Sequence, residues 1–238
     1  MAIAVKDGHT ARALEFYNTP GKYFIIGGTI PWEDESSPDT PQVGEFKLND
    51  VVGLKKVDNV HLVVPDDNGT IVYRTQRWRV VPADISTTVG TTGVTEGSVV
   101  VPVTSVAGLT VGSKVRIANL YEATITSISN NLLTLSAESP APIPAGATVL
   151  GGAIPEGAHY VYLDCYLNYD EFPLVTYRQI GLCTAVTPNT ADILLSAAYS
   201  SHNADEFASL GRLEVLDNRV PSTRDISMRE QLSLIIEL

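Results

Sequence analysis

Charge is scarce in this 238-residue sequence: 18% of residues are Asp, Glu, Lys or Arg, against 44% hydrophobic. So few charges do little to keep a protein apart from its neighbours, and uncharged surface is expected to be contact surface, although β-rich chains also place Thr and Ser outside. Basic residues are the scarcer sign, 16 against 27, for a formal charge of -11. That field repels nucleic acid and anionic membrane, so neither is an expected partner. There are two cysteines, Cys165 and Cys183. They fall in separate strand-like runs, make no disulfide framework, and are expected as free buried thiols in a reducing cytoplasm. No run approaches the ~18 consecutive apolar residues of a spanning helix. The opening Met1 to Asp7 lacks the basic-then-apolar order of a signal peptide, so a soluble protein that stays where it is made is expected.

The usual carriers of chemistry are also thin. His9, His61, His159 and His202 lie far apart, with no His-Glu-x-x-His or Cys-x-x-Cys set to hold a metal. No Gly-x-Ser-x-Gly elbow and no phosphate-cradling loop occurs, and Gly27-Gly28 is too little for a dinucleotide site. The acidic stretch Trp32 to Asp39 lacks the ligand spacing of a calcium loop and reads as a solvated or partner-facing loop. Asp66-Asp67-Asn68-Gly69 reads as a turn. Asp164 with Asp170-Glu171 is a poor glycosidase pair, because residues of one strand-loop segment rarely face each other across a sugar. No catalytic residue, metal or cofactor is expected.

Strand signals dominate what is present. Lys22 to Ile26 reads as a buried strand. Val60 to Val64 and Thr70 to Tyr73, flanking Asn68-Gly69, read as a hairpin whose turn residues take positive φ. Arg77 to Val81, His159 to Leu167, Tyr177 to Ala185, Asp192 to Ala197, Leu213 to Leu216 and Gln231 to Leu238 continue the pattern. Two short helices are expected: Thr10 to Asn18, capped by Thr10 and stopped by Pro20-Gly21, and Asn203 to Leu210.

Between Ser86 and Pro155 charges nearly vanish and Tyr121 is the sole aromatic. Short Val- and Thr-rich runs alternate with turns at Gly108 to Gly112 and Asn130-Asn131, the pattern of a small β-domain. The expected organisation is a discontinuous host of residues 1–85 plus 156–238, with 86–155 inserted. The expected fold is mainly β, a β-sandwich host with short helical loops.

Three stretches carry a resemblance. Tyr23-Phe24-Ile25-Ile26-Gly27-Gly28-Thr29-Ile30-Pro31-Trp32-Glu33-Asp34-Glu35, then Pro38 and Pro41, is the first. Gly53 to Val57, leading to Val60-His61-Leu62-Val63-Val64-Pro65, is the second. Leu213 to Arg224, with its Asn218-Arg219-x-Pro221-x-x-Arg224 turn, and the apolar Gln231 to Leu238 make the third, supported by Glu171-Phe172-Pro173 and Tyr177 to Leu182. Together they resemble baseplate wedge proteins of T-even-type and related contractile-tail bacteriophages. Gly28 stands where that family commonly has a basic residue, so no contact of that side chain is carried over.

The resemblance implies a non-enzymatic β-sandwich protomer, homodimeric or multi-copy, wedged among other phage baseplate and tail proteins. It would be made in the host cytoplasm and located in the virion. The interface candidates are Pro31, Trp32, Glu33, Arg178, Arg219, Pro221 and Arg224. Prolines stiffen loops before docking, and Trp and Arg are residue types that anchor interfaces, although these side chains can equally pack on their own sheet or pair with nearby acids. The alternative is a fibre-adaptor or receptor-binding tail protein that uses the 86–155 insert.

Overall fold

The computed structural model describes residues 5–169, 171, 175–189, 201–203, 207–225, 227 and 229–238. In chain order the elements begin with α1 (Lys6–Asn18), β1 (Tyr23–Gly27), β2 (Gly53–Lys56), β3 (Asn59–Pro65), β4 (Ile71–Tyr73), β5 (Gln76–Val81) and β6 (Asp84–Thr88). Next come β7 (Val100–Pro102), β8 (Lys114–Ile117), β9 (Tyr121–Ser129), β10 (Leu132–Leu135), β11 (Thr148–Gly152) and α2 (Ala153–Glu156). The chain continues through β12 (Tyr160–Leu167), β13 (Thr176–Thr184), β14 (Thr187–Pro188), β15 (Ser201–Asn203), β16 (Phe207–Ser209), β17 (Arg212–Thr223) and β18 (Glu230–Glu237). The protein is mainly β, with 48% of the described residues in strands and 8% in helices, in several antiparallel sheets. It forms two compact units, one of Met1–Tyr17, His61–Tyr162 and Ile235–Leu238, the other of Asn18–Val60 and Leu163–Leu234.

In the first unit a six-stranded sheet runs β6-β11-β8-β9-β10-β7. Its two edges approach each other. Val89 bridges Val103, and the amides of Gly90 and Thr104 donate to the carbonyls of Pro102 and Thr88 at 2.8 and 2.9 Å, so the sheet nearly closes. Alternate residues point inward, and Val101, Val115, Ile117, Ile125, Leu133, Leu135 and Val149 fill the interior. Near-closure explains how this stretch manages with few charges, since a closed sheet leaves little free edge to protect. Arg116 grips both oxygens of Asp7 at 2.7 Å, and Lys6 reaches Glu122 at 2.7 Å, tying α1 to β8 and β9. A second cluster joins Val63, Trp78 and Tyr162, with Tyr160 edge-on to Trp78 at 5.0 Å.

In the second unit the sheet order is β15-β2-β1-β13-β17. Every residue of β1 is buried, and eight of the nine residues of β13 are, because both strands have neighbours on each side and cover on each face. The core gathers Tyr23, Ile25, Leu48, Leu54, Cys183, Val186 and Phe207. β17 is an edge strand, and its pairing with β13 slips between Tyr177↔Ser222 and Gln179↔Asn218, bulging Arg219 to Pro221. A bulge on an edge is where a strand tolerates proline.

Three local expectations change. The first helix starts at Lys6 rather than Thr10, and Thr10 is buried inside it instead of capping it. β3 and β4 do not pair: β5 lies between them, and the two-residue turn is Arg74-Thr75, with Arg74 at φ 54°. Gly69 is not at positive φ; a Cβ there would lie 2.2 to 2.6 Å from the Trp78 backbone, so it is close approach that requires glycine. In the described part of the second expected helix, Asn203 ends β15 and Phe207–Ser209 form β16, whose Phe207 enters the core. The expected strand Asp192 to Ala197 lies outside the described residues.

Candidate interaction surface

β1 ends at Gly27, and the chain leaves the sheet at Gly28, where φ is +71° and a Cβ would meet Gln179 Cγ at 2.9 Å. Glycine is required there on both counts. The chain returns close to where it left: the Gly28 amide donates to the Asn49 carbonyl at 2.6 Å and that of Val52 to Ile26 at 2.8 Å. Residues 29–49 therefore form a loop with a hydrogen-bonded neck. Leu48 anchors it from below, in a space that exists because residue 181 is glycine; a Cβ at Gly181 would lie 2.7 Å from Leu48 and 2.7 Å from Leu213.

Polar side chains of β13 and β17 hold the rest of the loop. Arg178, buried, donates from Nε to Glu35 Oε2 at 2.9 Å, from Nη2 to Glu35 Oε1 at 2.7 Å and from Nη1 to the Thr29 carbonyl at 3.0 Å. That hydrogen bonding holds the Glu35 carboxyl below its ordinary value. Gln179, also buried, accepts from the Asn49 amide at 2.8 Å and donates to Asn218 Oδ1 at 2.9 Å. Asn218 in turn donates to the Asp39 carbonyl at 2.9 Å. Trp32 Nε1 donates to the Arg219 carbonyl at 3.1 Å, inside the bulge of β17.

The expected interface residues thus sort by place. Pro31, Trp32 and Glu33 share the loop, with Pro31 and Glu33 exposed. Trp32 meets Arg219, whose guanidinium pairs with Asp217 at 2.9 Å, and Pro221 follows two residues on. Arg178 sits beneath the loop and is occupied by it. Arg224 lies apart from this cluster, buried just beyond the end of β17 and donating to the Asn168 carbonyl at 2.7 Å.

Sequence reasoning passed over Gln179, Asn218 and the apolar side chains that the loop leaves in water. Ile30 is 66% exposed, Phe46 79%, and Val43 fully. A polar Gln in the middle of an apolar central strand is a signal, since a buried amide must find partners. Isolated apolar residues in an acidic, proline-punctuated loop are another.

β17 and the loop also define a groove of about 340 Å³, lined by Pro41, Gln42, Val43 and Glu45 on one side and Leu213 to Leu216 on the other. Elsewhere the carboxylates considered for chemistry are tied into structure: Asp164 accepts from Asn59 at 2.7 Å and Gln231 at 3.1 Å, and Glu171 pairs with Lys55. Asp170 lies outside the described residues. Among the described residues no group of three or more His, Cys, Asp or Glu is placed to hold a metal, and no helix is long and apolar enough to cross a membrane.

The model of the family described as baseplate wedge 3 tail fiber network component matches residues 1–100 and 134–238. The chain belongs to that family. Its role is therefore that of a structural component of a phage tail baseplate. The match includes the loop 29–49, both strands that hold it, and the two ends of the 86–155 segment, leaving 101–133 unmatched. The chain is also similar to Virion protein 3 of Enterococcus phage phiEF24C, with 30% identity over 89 residues, 34% of this chain and 49% of that protein. It thus spans about half the length of this curated relative.

Proposed function

We propose that the chain is a wedge subunit of a contractile-tail baseplate, acting as a connector between neighbouring baseplate and tail-fibre proteins and catalysing nothing. The loop 29–49 carries this reading. It is held at Arg178, Gln179, Asn218 and the Arg219 carbonyl, yet presents Ile30, Val43 and Phe46 to solvent. Apolar side chains on a pre-ordered support dock with little entropy lost, so they suit a contact made once, during assembly. Pro31, Trp32, Glu33, Arg219 and Pro221 belong to this face, Arg178 supports it from inside, and Arg224 lies apart from it. A symmetric baseplate would use the chain as a homodimer or in several copies, located in the virion after synthesis in the host cytoplasm.

The test is assembly. Phe46→Asp should leave the purified chain folded by circular dichroism yet lower the yield of infectious particles at least about tenfold, the equivalent of one lost hot spot. Mass spectrometry of purified virions should find the wild-type chain. Virions without it would sink the reading.

A second reading takes residues 86–155 as a module inserted in a host of 1–85 plus 156–238 and used as a fibre adaptor. It is favoured by the exposed Val111, Leu120 and Leu132 on that segment. Replacing 86–155 by a short Gly-Ser linker would then give complete tails that lack fibres or fail to adsorb. Tails that do not assemble would argue for the wedge.

A further inference from the structure

We infer that the groove between β17 and the loop receives an extended segment of another protein, rich in lysine or arginine, which adds to the sheet as a further strand. This rests on the connector reading above and names the kind of partner.

The groove runs along β17, between that strand and the loop. Leu213, Glu214, Val215 and Leu216 all line it. The pairing with β13 slips here as well, between Leu182↔Val215 and Cys183↔Leu213, so the strand bulges at Glu214 beside the groove. Among the described residues, β17 has β13 on one side and no strand on the other. Further along, the loop closes the edge itself, where Trp32 donates to the Arg219 carbonyl. At 213–216 it stands off, leaving about 340 Å³ over a stretch of strand about 13 Å long, with Val43 on the far wall. Unpaired backbone groups with apolar walls are what a strand-adding partner uses, main-chain hydrogen bonds giving affinity and alternate side chains giving specificity.

Charge selects the occupant. The two charged residues in the lining, Glu45 and Glu214, are both acidic. Arg212 answers Glu214 at 2.7 Å, while Glu33, Asp34 and Asp39 on the same loop add negative charge. A second copy, itself at -11, is disfavoured on the same ground. Pro41, Val43, Leu213, Val215 and Leu216 supply the apolar lining, so the fitting segment alternates apolar and basic residues.

Val43 is fully exposed, and Cys165 and Cys183 are buried, so Val43→Cys offers one reactive thiol. Virions carrying this variant, labelled with benzophenone maleimide and irradiated, should cross-link to a basic, extended segment of a different virion protein. A synthetic peptide of that segment should bind the purified full chain and lose at least about tenfold in affinity when alternate backbone amides are methylated. A cross-link to a second copy, to a helix or to an acidic segment overturns the inference, as does no cross-link from virions that contain the chain, or undiminished binding by the methylated peptide. Virions that lack the chain overturn the connector reading instead.

Discussion

The guanidinium of Arg178, on a central strand, donates to both carboxylate oxygens of Glu35, 143 residues earlier in the chain and on the loop that leaves the neighbouring strand. One charge-assisted contact thereby ties loop to sheet, and its geometry makes the loop's order depend on pH.

Glu35 is held below its ordinary value by the Arg178 hydrogen bonds. A lowered carboxylate contributes stability that is fully present above the unfolded value, near 4.5, and is lost as pH falls through the lower folded value. Hydrogen exchange across residues 29–47 should stay slow from neutral pH down to that range and rise below it. Arg178→Gln should raise exchange in the loop at neutral pH and remove the acid-dependent step.

Gly181 faces Leu48 and Leu213 so closely that a Cβ would lie 2.7 Å from each and 3.1 Å from the Val215 carbonyl. Gly181→Ala is expected to destabilise the protein by about 1 to 3 kcal/mol in urea unfolding, the usual cost of overpacking. It should also loosen the loop, because Leu48 is the residue displaced.

Thr10 is fully buried in α1, and its hydroxyl has no hydrogen-bond partner among the described residues. Thr10→Val keeps the shape and removes the unsatisfied group, so it should stabilise by about 1 kcal/mol in the same assay. A destabilised variant would mean that the hydroxyl is hydrogen-bonded in solution.

Both thiols are buried, and burial pushes their pKa values up, that of Cys183 to about 12. Neither should react with iodoacetamide at pH 8 in the native protein, and both should react once it is unfolded. Rapid native labelling would show that the core opens.

Much of the strand content was legible residue by residue. Tyr23 to Ile26 is an apolar run with no room for a helix, and Leu132 to Leu135 follows the Asn130-Asn131 turn into clean alternation. Pairing was less legible. Asn68-Gly69 has hairpin chemistry, but turn residues say only that the chain bends, and β5, which sits between β3 and β4, comes later in the sequence. Phe207 looked helical because its short run begins at Asn203, a capping residue type, and ends at Gly211, whereas its place is set by the core it enters. The candidate surface was half legible. Pro31, Trp32 and Arg219 stand out by residue type. Gln179 and Asn218 do not, because their role depends on a register that sets them opposite each other.

The sequence by itself determined the β character, the acidic balance and the stretches that mark the family, all of which reside in residue types and short spacings. Only the tertiary structure decided that residues 29–49 form a tethered loop, that Arg178 is its anchor, and that β17, among the described residues, has a strand on one side only. These follow from hydrogen bonds between residues far apart in the chain, such as Gln179 and Asn49, 130 positions from each other. Such a bond forms where two strands have already aligned, and alignment is a property of the folded sheet rather than of either segment alone.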